Sequence, residues 1–246
     1  MQGLRYIGVL LLLMPALTWA GPPYQTDDPV PVDYHHFEFY SAWAQTRAGN
    51  GFQGSVPQFA LNYGATPNLQ LSITVPWAYN QPQDGGKTSG LGDVLYGAKY
   101  RLLGETPSYP VVAVFPQLQT GNGDLAKGLG AGGYQYLLPV WLQKNSGPWT
   151  LNTGTGYWGS HASGIRNHWF SGVQVQRTLS YHWTLGGELF HNSEIVSGQG
   201  SSTGFSLGIV NDLDEHNHLL LSFGRGLVHA AATNQGTVYA AYLRTW

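Results

Sequence analysis

The chain of 246 residues carries a formal charge of −2 and contains no cysteine, which leaves no basic footprint for nucleic acid and no disulfide or thiolate chemistry. Charged residues make up 10% of it, against about 25% in an ordinary soluble domain, while 13% of residues are aromatic and 34 are glycine. So few charges and so many rings exclude a conventional hydrated surface and point towards a membrane.

Residues 1–20 read as a secretory signal peptide. Arg5 supplies the positive region, Tyr6 to Leu13 the apolar run, and Thr18, Trp19 and Ala20 a small-x-small cleavage site before Gly21. The absence of cysteine at that site excludes a lipid-anchored lipoprotein. No later run is long and apolar enough for a transmembrane helix, the nearest being Tyr109 to Phe115, so a spanning structure has to be built from strands. Residues 21–33, GPPYQTDDPVPVD, hold four prolines and form neither a helix nor a central strand. They are either an extended periplasmic tail or a segment folded into a barrel mouth. In the second case Thr26, Asp27 and Asp28 would carry acceptors into the lumen as a plug.

The next feature is a two-residue period, clearest over Asn68 to Asn80. Leu69, Leu71, Ile73, Val75, Trp77 and Tyr79 point one way, and Gln70, Ser72, Thr74, Pro76 and Ala78 the other. Rings at the end of an apolar row are what a bilayer interface selects. From Tyr34 the chain divides into about twelve such pieces, near the length of about 9 to 11 residues that a tilted strand needs to span a membrane. They are Tyr34–Gln45, Ser55–Ala65, Asn68–Asn80, Leu91–Leu103, Tyr109–Gly121, Gly132–Gln143, Pro148–Trp158, Asn167–Leu179, His182–Asn192, Thr203–Leu213, His216–Leu227 and Thr237–Trp246.

The connections alternate. Thr66-Pro67, Gly104 to Ser108, Lys144 to Gly147, Ser180-Tyr181 and Asp212 to Glu215 are tight joints. Between them lie longer, Gly-rich stretches: Thr46 to Gly54, Gln81 to Gly90, Asn122 to Ala131, Gly159 to Arg166, Ser193 to Ser202 and Val228 to Gly236. Short periplasmic turns and long extracellular loops are the signature of an up-and-down outer-membrane barrel, with both termini in the periplasm when the strand number is even. The predicted fold is therefore all-β, a transmembrane antiparallel up-and-down barrel over residues 34–246. The chain ends TVYAAYLRTW, with Val238, Ala240, Tyr242 and Trp246 on one face; a last strand closing on the first leaves no edge. This ending resembles the C-terminal signal read by the barrel assembly machinery, from which Arg244 departs by replacing an apolar residue.

Four stretches carry a resemblance to a known family: GPPYQTDDPVPVDYHHFEFY at Gly21 to Tyr40, LGDVLYGAKYRLL at Leu91 to Leu103, FPQLQTGNGD at Phe115 to Asp124, and STGFSLG with EHNHLLLSFGRGL between Ser202 and Leu227. Together they resemble the outer-membrane transporter family labelled "MetA-pathway of phenol degradation", over essentially the whole mature chain. The resemblance implies an outer-membrane barrel of a Gram-negative bacterium associated with breakdown of aromatic compounds, and no catalytic site.

Strand parity assigns the inward residues. Asp93, Lys99 and Arg101 face away from Val94, Tyr96, Ala98, Tyr100 and Leu102, and Glu38, Gln58, Asn62, Gln117, Gln119, Asn152, Gln174, Gln176 and Glu188 follow by the same rule. A charge facing lipid at the midplane costs about 2–4 kcal/mol, so these groups belong in the lumen or at a rim. They form either a polar path, with Lys99 and Arg101 opposing Glu38, Asp93 and Glu188, or a filled interior whose charges pair.

Nine histidines invite a metal reading, but His35-His36 lie on opposite faces of one strand, and His216 and His218 lack companion ligands at a metal-binding spacing. No metal and no cofactor is expected. His161 with Ser163 is the one pairing suggestive of a hydrolase, without an evident orienting group. LGAGGY at Leu129 to Tyr134 fails as a phosphate loop because no helix follows. The expected function is passive passage of small molecules through a monomeric outer-membrane barrel, aromatic or hydrophobic compounds among them on the strength of the family resemblance. The expected partners are the permeant, outer-membrane lipid and the assembly machinery. The alternatives are a barrel enzyme acting on lipid and a closed structural or surface-binding barrel.

Overall fold

The computed structural model describes residues 23–246, so the expected signal peptide and the first two residues of the Pro-rich segment lie outside the described residues. Fourteen strand segments follow in order: β1 (Phe37–Ala48), β2 (Gly51–Thr66), β3 (Leu69–Pro82), β4 (Thr88–Leu91), β5 (Leu95–Leu103), β6 (Val111–Val114), β7 (Gln117–Gln119), β8 (Gln135–Ser146), β9 (Trp149–Ser160), β10 (His168–Ser180), β11 (Trp183–Asn192), β12 (Ser202–Asp212), β13 (Asn217–Val228) and β14 (Gly236–Thr245). Segments β4 and β5 both pair with β3, and β6 and β7 both pair with β5 and β8, so each couple is one interrupted crossing. The result is a closed antiparallel barrel of 12 crossings.

Closure is made by β1 on β14, in register from Glu38 opposite Thr245 to Arg47 opposite Gly236. Trp246 extends it: its N–H and carbonyl exchange bonds with Phe37 (3.1 and 2.7 Å), and the two rings stack at 5.5 Å. Among the described residues no helix is long and apolar enough to cross a membrane, and the helical pieces are the short turns Leu125–Lys127 and Ala230–Thr233.

The two-residue period holds on the outside. Leu207 on β12 and Leu219, Leu221 and Phe223 on β13 are exposed, whereas Ser206, Leu220 and Ser222 between them are buried. An exposed apolar row of this kind is stable only against lipid, where each such side chain removed from water contributes about 1.5–3 kcal/mol. Tyr79 ends the apolar row of β3 yet is buried, because its hydroxyl donates to Gln45 (2.8 Å) and accepts from the Trp43 indole (3.3 Å), while Lys87 lies over its ring.

Two stretches expected to be long loops are mostly ladder. Between Thr46 and Gly54 the chain continues as a hairpin, with Gln45 opposite Gly54 and Ala48 opposite Gly51, leaving only residues 49–50 as the turn. Between Gln81 and Gly90, Gln81 still pairs with Phe52, and β4 folds back on Trp77 to Asn80. Glycine content suggested a loop, but extended backbone facing an extended neighbour pairs whatever its side chains, and Arg47 stacked over Phe52 covers the hairpin. The long connections are 120–134, 161–167, 193–201 and 229–235, and the joint expected to be tight over Gly104 to Ser108 is as long as two of them, running from 104 to 110.

Leu207 sits midway along β12 and faces outwards, so Leu207→Arg is expected to destabilise the protein refolded in vesicles by about 2–4 kcal/mol. Leu213→Arg, in the short turn after β12, is expected to cost at most about 1 kcal/mol. Urea-unfolding midpoints read both, and equal effects would show that β12 does not lie across the bilayer as assigned.

Candidate functional site

Inside the barrel the alternation delivers polar side chains, rings and glycines, and the N-terminal segment runs among them. Of the two placements open from the sequence, the segment occupies the lumen. Thr26 is 1% exposed and Asp27 2%, and Tyr24 and Pro29 are buried as well. The wall is cut to fit. A Cβ at Gly208 would lie 2.8 Å from the Tyr24 ring, one at Gly186 2.5 Å from its hydroxyl, and one at Gly172 2.1 Å from Thr26 Oγ1. These glycines serve by lacking a side chain.

Polar contacts fix the segment along its length. Ser222 Oγ donates to the Pro23 carbonyl (2.6 Å). The Glu188 carboxylate accepts the N–H of Gln25 (2.9 Å) and of Thr26 (2.8 Å). Lys99, 3% exposed, places Nζ 3.1 Å from Asp27 and 3.5 Å from Asp28. Further along, the Val32 N–H donates to Gln70 Oε1 (3.0 Å), and the Gly64 position lies against the backbone of Val32 and Asp33. A buried lysine without a counter-ion costs several kcal/mol, so the Asp27 contact is what makes Lys99 tenable in that position.

Most of the inward residues expected from parity fall into three groups. Lys99 and Glu188 hold the segment. Glu38, which accepts from Tyr40 and Asn62 (both 3.0 Å), lines the inner half of the lumen with Gln58 and Gln117. Asn152 donates to Gln174 (2.8 Å) in the buried wall, and Gln176 packs over Gly186.

The remaining ones do not form a charged path. Arg101 has inward parity but turns to the rim at the β2–β3 turn, where its guanidinium donates to the Pro67 carbonyl (2.7 Å) and Asn68 Oδ1 (2.9 Å). Asp93, in the break between β4 and β5, accepts the N–H of Gly123 and of Ala131 (both 2.7 Å) and the Gln119 amide (3.2 Å). It anchors the 120–134 loop. The expected opposition of Lys99 and Arg101 to Glu38, Asp93 and Glu188 is therefore replaced by Lys99 with Asp27 and Asp28. The reason is that a long side chain near a strand end reaches whichever turn offers carbonyls.

The segment separates two cavities. The inner one, about 600 Å³, opens among Asp28, Asp33, His36, Glu38, Glu215, His216, His218 and Trp246. Its lining has five carboxylates and one lysine, so it is acidic at neutral pH. The outer one, about 90 Å³, has Pro23, Tyr24 and Gln25 as its floor and residues of the 193–201 and 229–235 loops at its top. Around both, the inner wall carries a buried aromatic cluster, Phe115, Leu137, Trp141, Trp158, Phe170 and Phe190, and a tighter one of Tyr40, Ala42, Ala44, Leu220, Tyr239 and Ala241 beside the seam. These rings and the three cradle glycines were missed from the sequence, although the signal was there. Phe170 and Gly172 are in phase with Gln174, and Gly186 and Phe190 with Glu188.

The outer loops are tied together. Arg166 pairs with Glu194 (2.9 Å), whose carboxyl is held below its usual value by N–H bonds from Gly198 and Gly200. The His161 ring stacks on Tyr134 at 4.2 Å, and at the opposite end of the barrel, in the turn between β12 and β13, His218 contacts Asp212 at 2.6 Å. Among the described residues no group of three His, Asp or Glu side chains is placed to hold a metal ion.

No family model and no curated protein matches the sequence. Solved structures do match in fold. The COG4313 outer membrane channel from Pseudomonas putida F1 superposes with a TM-score of 0.73 at 14% identity, covering 89% of this chain and 98% of that one. The KdgM porin gives 0.59 at 10% identity, with 84% and 99% covered, and the NanC porin 0.56 at 8%, with 85% and 98% covered. The chain has the fold of an outer-membrane β-barrel.

The chain has no native cysteine, so Thr26→Cys makes a unique reporter of the segment's position. Its reaction with a water-soluble maleimide is expected to be slow, and Lys99→Met or Gly208→Phe to speed it about a hundredfold, equivalent to about 3 kcal/mol. Equal rates in all three backgrounds would show that the contacts do not retain the segment.

Proposed function

We propose that the protein is a passive outer-membrane channel for small molecules whose resting state is closed by residues 23–33. The observation that carries the reading is the segment seated in the lumen on Lys99 and Glu188, over glycines that leave it room. A barrel used only as a scaffold gains nothing from keeping a buried lysine and a buried glutamate for a removable strand of chain. A barrel that opens does, because these contacts are polar and can be exchanged for water once the segment moves. The likeness in fold to an outer membrane channel and to two porins supports the same reading.

Transport is driven by the solute gradient, and selectivity comes from bore, lining and loops. The rings of Phe115, Trp141, Trp158, Phe170 and Phe190 give one side of the lumen an apolar wall suited to aromatic or hydrophobic permeants, in keeping with the motif resemblance to the MetA-pathway family. The acidic inner cavity disfavours anions on the periplasmic side.

Single-channel recording in planar bilayers tests this directly. The protein from Gly21 onwards is expected to show small or intermittent conductance, and the protein lacking residues 21–33 a larger and steadier one. Silence from the truncated, folded barrel would sink the channel reading.

A further inference from the structure

The outer cavity is chemically unlike the inner one. Its side walls carry Thr46, Gln53, Asn192, Ser202, Ser206 and Thr237, with Phe190 and Tyr24 as apolar surfaces, and no lysine or arginine. The one carboxylate, Glu188, is already engaged by the N–H groups of Gln25 and Thr26. Three amides in its lining have a buried atom without a protein partner: Gln53, 9% exposed, at Nε2, Asn192, 7% exposed, at Oδ1, and Asn234 at Oδ1. Gln53 stands on β2, Asn192 on β11, five strands apart round the sheet, and Asn234 in the 229–235 loop, so the lining brings one unmatched donor and two unmatched acceptors round the cavity.

We propose that this cavity is a recognition site for an uncharged solute that presents a hydroxyl group. A hydroxyl both accepts and donates, which is what the Gln53 amide N–H and the Asn192 carbonyl require together. An anion would meet Glu188 with no cation to offset it, and a cation would find that carboxylate occupied by backbone N–H groups. The volume of about 90 Å³ equals about three waters at ~30 Å³ each, which suits a short polyol or the hydroxyl end of a larger molecule. A C–H face can lie against Phe190. The inference builds on the channel reading in naming what arrives from outside, but binding itself does not need the barrel to open.

Saturation-transfer NMR on the refolded full chain in micelles tests it, with glycerol and benzyl alcohol as neutral probes and glycerate and benzoate as their charged counterparts. Saturable transfer to a neutral probe is expected, with the charged counterpart weaker by about tenfold or more; glycerol alone identifies a polyol group, benzyl alcohol alone a ring-borne alcohol. Gln53→Met and Asn192→Leu are each expected to weaken the neutral probe about two- to tenfold. Equal transfer to charged and neutral probes, unchanged binding in both variants, or no saturable signal because the cavity holds water only, overturns the site. The comparison of probes on the unmutated protein decides even if a variant fails to fold. Binding with a silent truncated barrel would remove the channel reading and leave this site; conductance without binding would do the reverse.

Discussion

A strand in lipid has nowhere to put an unmatched peptide group, so the ladder between β1 and β14 is the contact on which everything else rests. Once it closes, each crossing has one face for lipid and one for the interior, and the side-chain period of two assigns every residue to one or the other. The number of crossings then fixes the problem inside. Eight strands give an interior that side chains fill, and 16 to 18 leave an aqueous channel. Twelve lie between these limits, and here the interior holds side chains from the wall together with residues 23–33.

Residues 23–33 take that space, and the wall and the segment explain each other. Lys99 would be an isolated buried cation without Asp27, and the Gln25 and Thr26 amides would be unmatched without Glu188. Gly172, Gly186 and Gly208 would leave gaps without Thr26 and Tyr24. The prolines keep the segment from adding to the sheet, since they lack the N–H that a ladder needs. It is held by side chains reaching from the wall, contacts that water can replace one at a time.

The segment also makes two environments out of one lumen. On the side of Trp246 the lining is acidic and wide; on the side of the 193–201 and 229–235 loops it is small and rich in amides and hydroxyls, and its one carboxylate, Glu188, is already bonded to the segment. A solute entering past those loops would meet hydrogen-bonding groups, and the segment itself as the floor of the first chamber, before the acidic cavity.

Much of this was legible in the sequence. Alternation in stretches such as Asn68 to Asn80, scarcity of charge and the punctuated connections give an antiparallel membrane barrel, because lipid exposure acts on each residue separately and leaves a local pattern. Parity likewise sends Lys99 and Glu188 inwards. It does not say what they touch: Arg101 and Asp93 share that parity and end at a turn and a loop. Nor does glycine content tell a loop from a hairpin, as residues 46–54 show. Sequence by itself determined the class of fold and the face of each residue. The tertiary structure decided which charges meet and that the N-terminal segment lies within the barrel, because those depend on groups more than 70 residues apart, such as Asp27 and Lys99, that only the closed sheet brings within 3.1 Å.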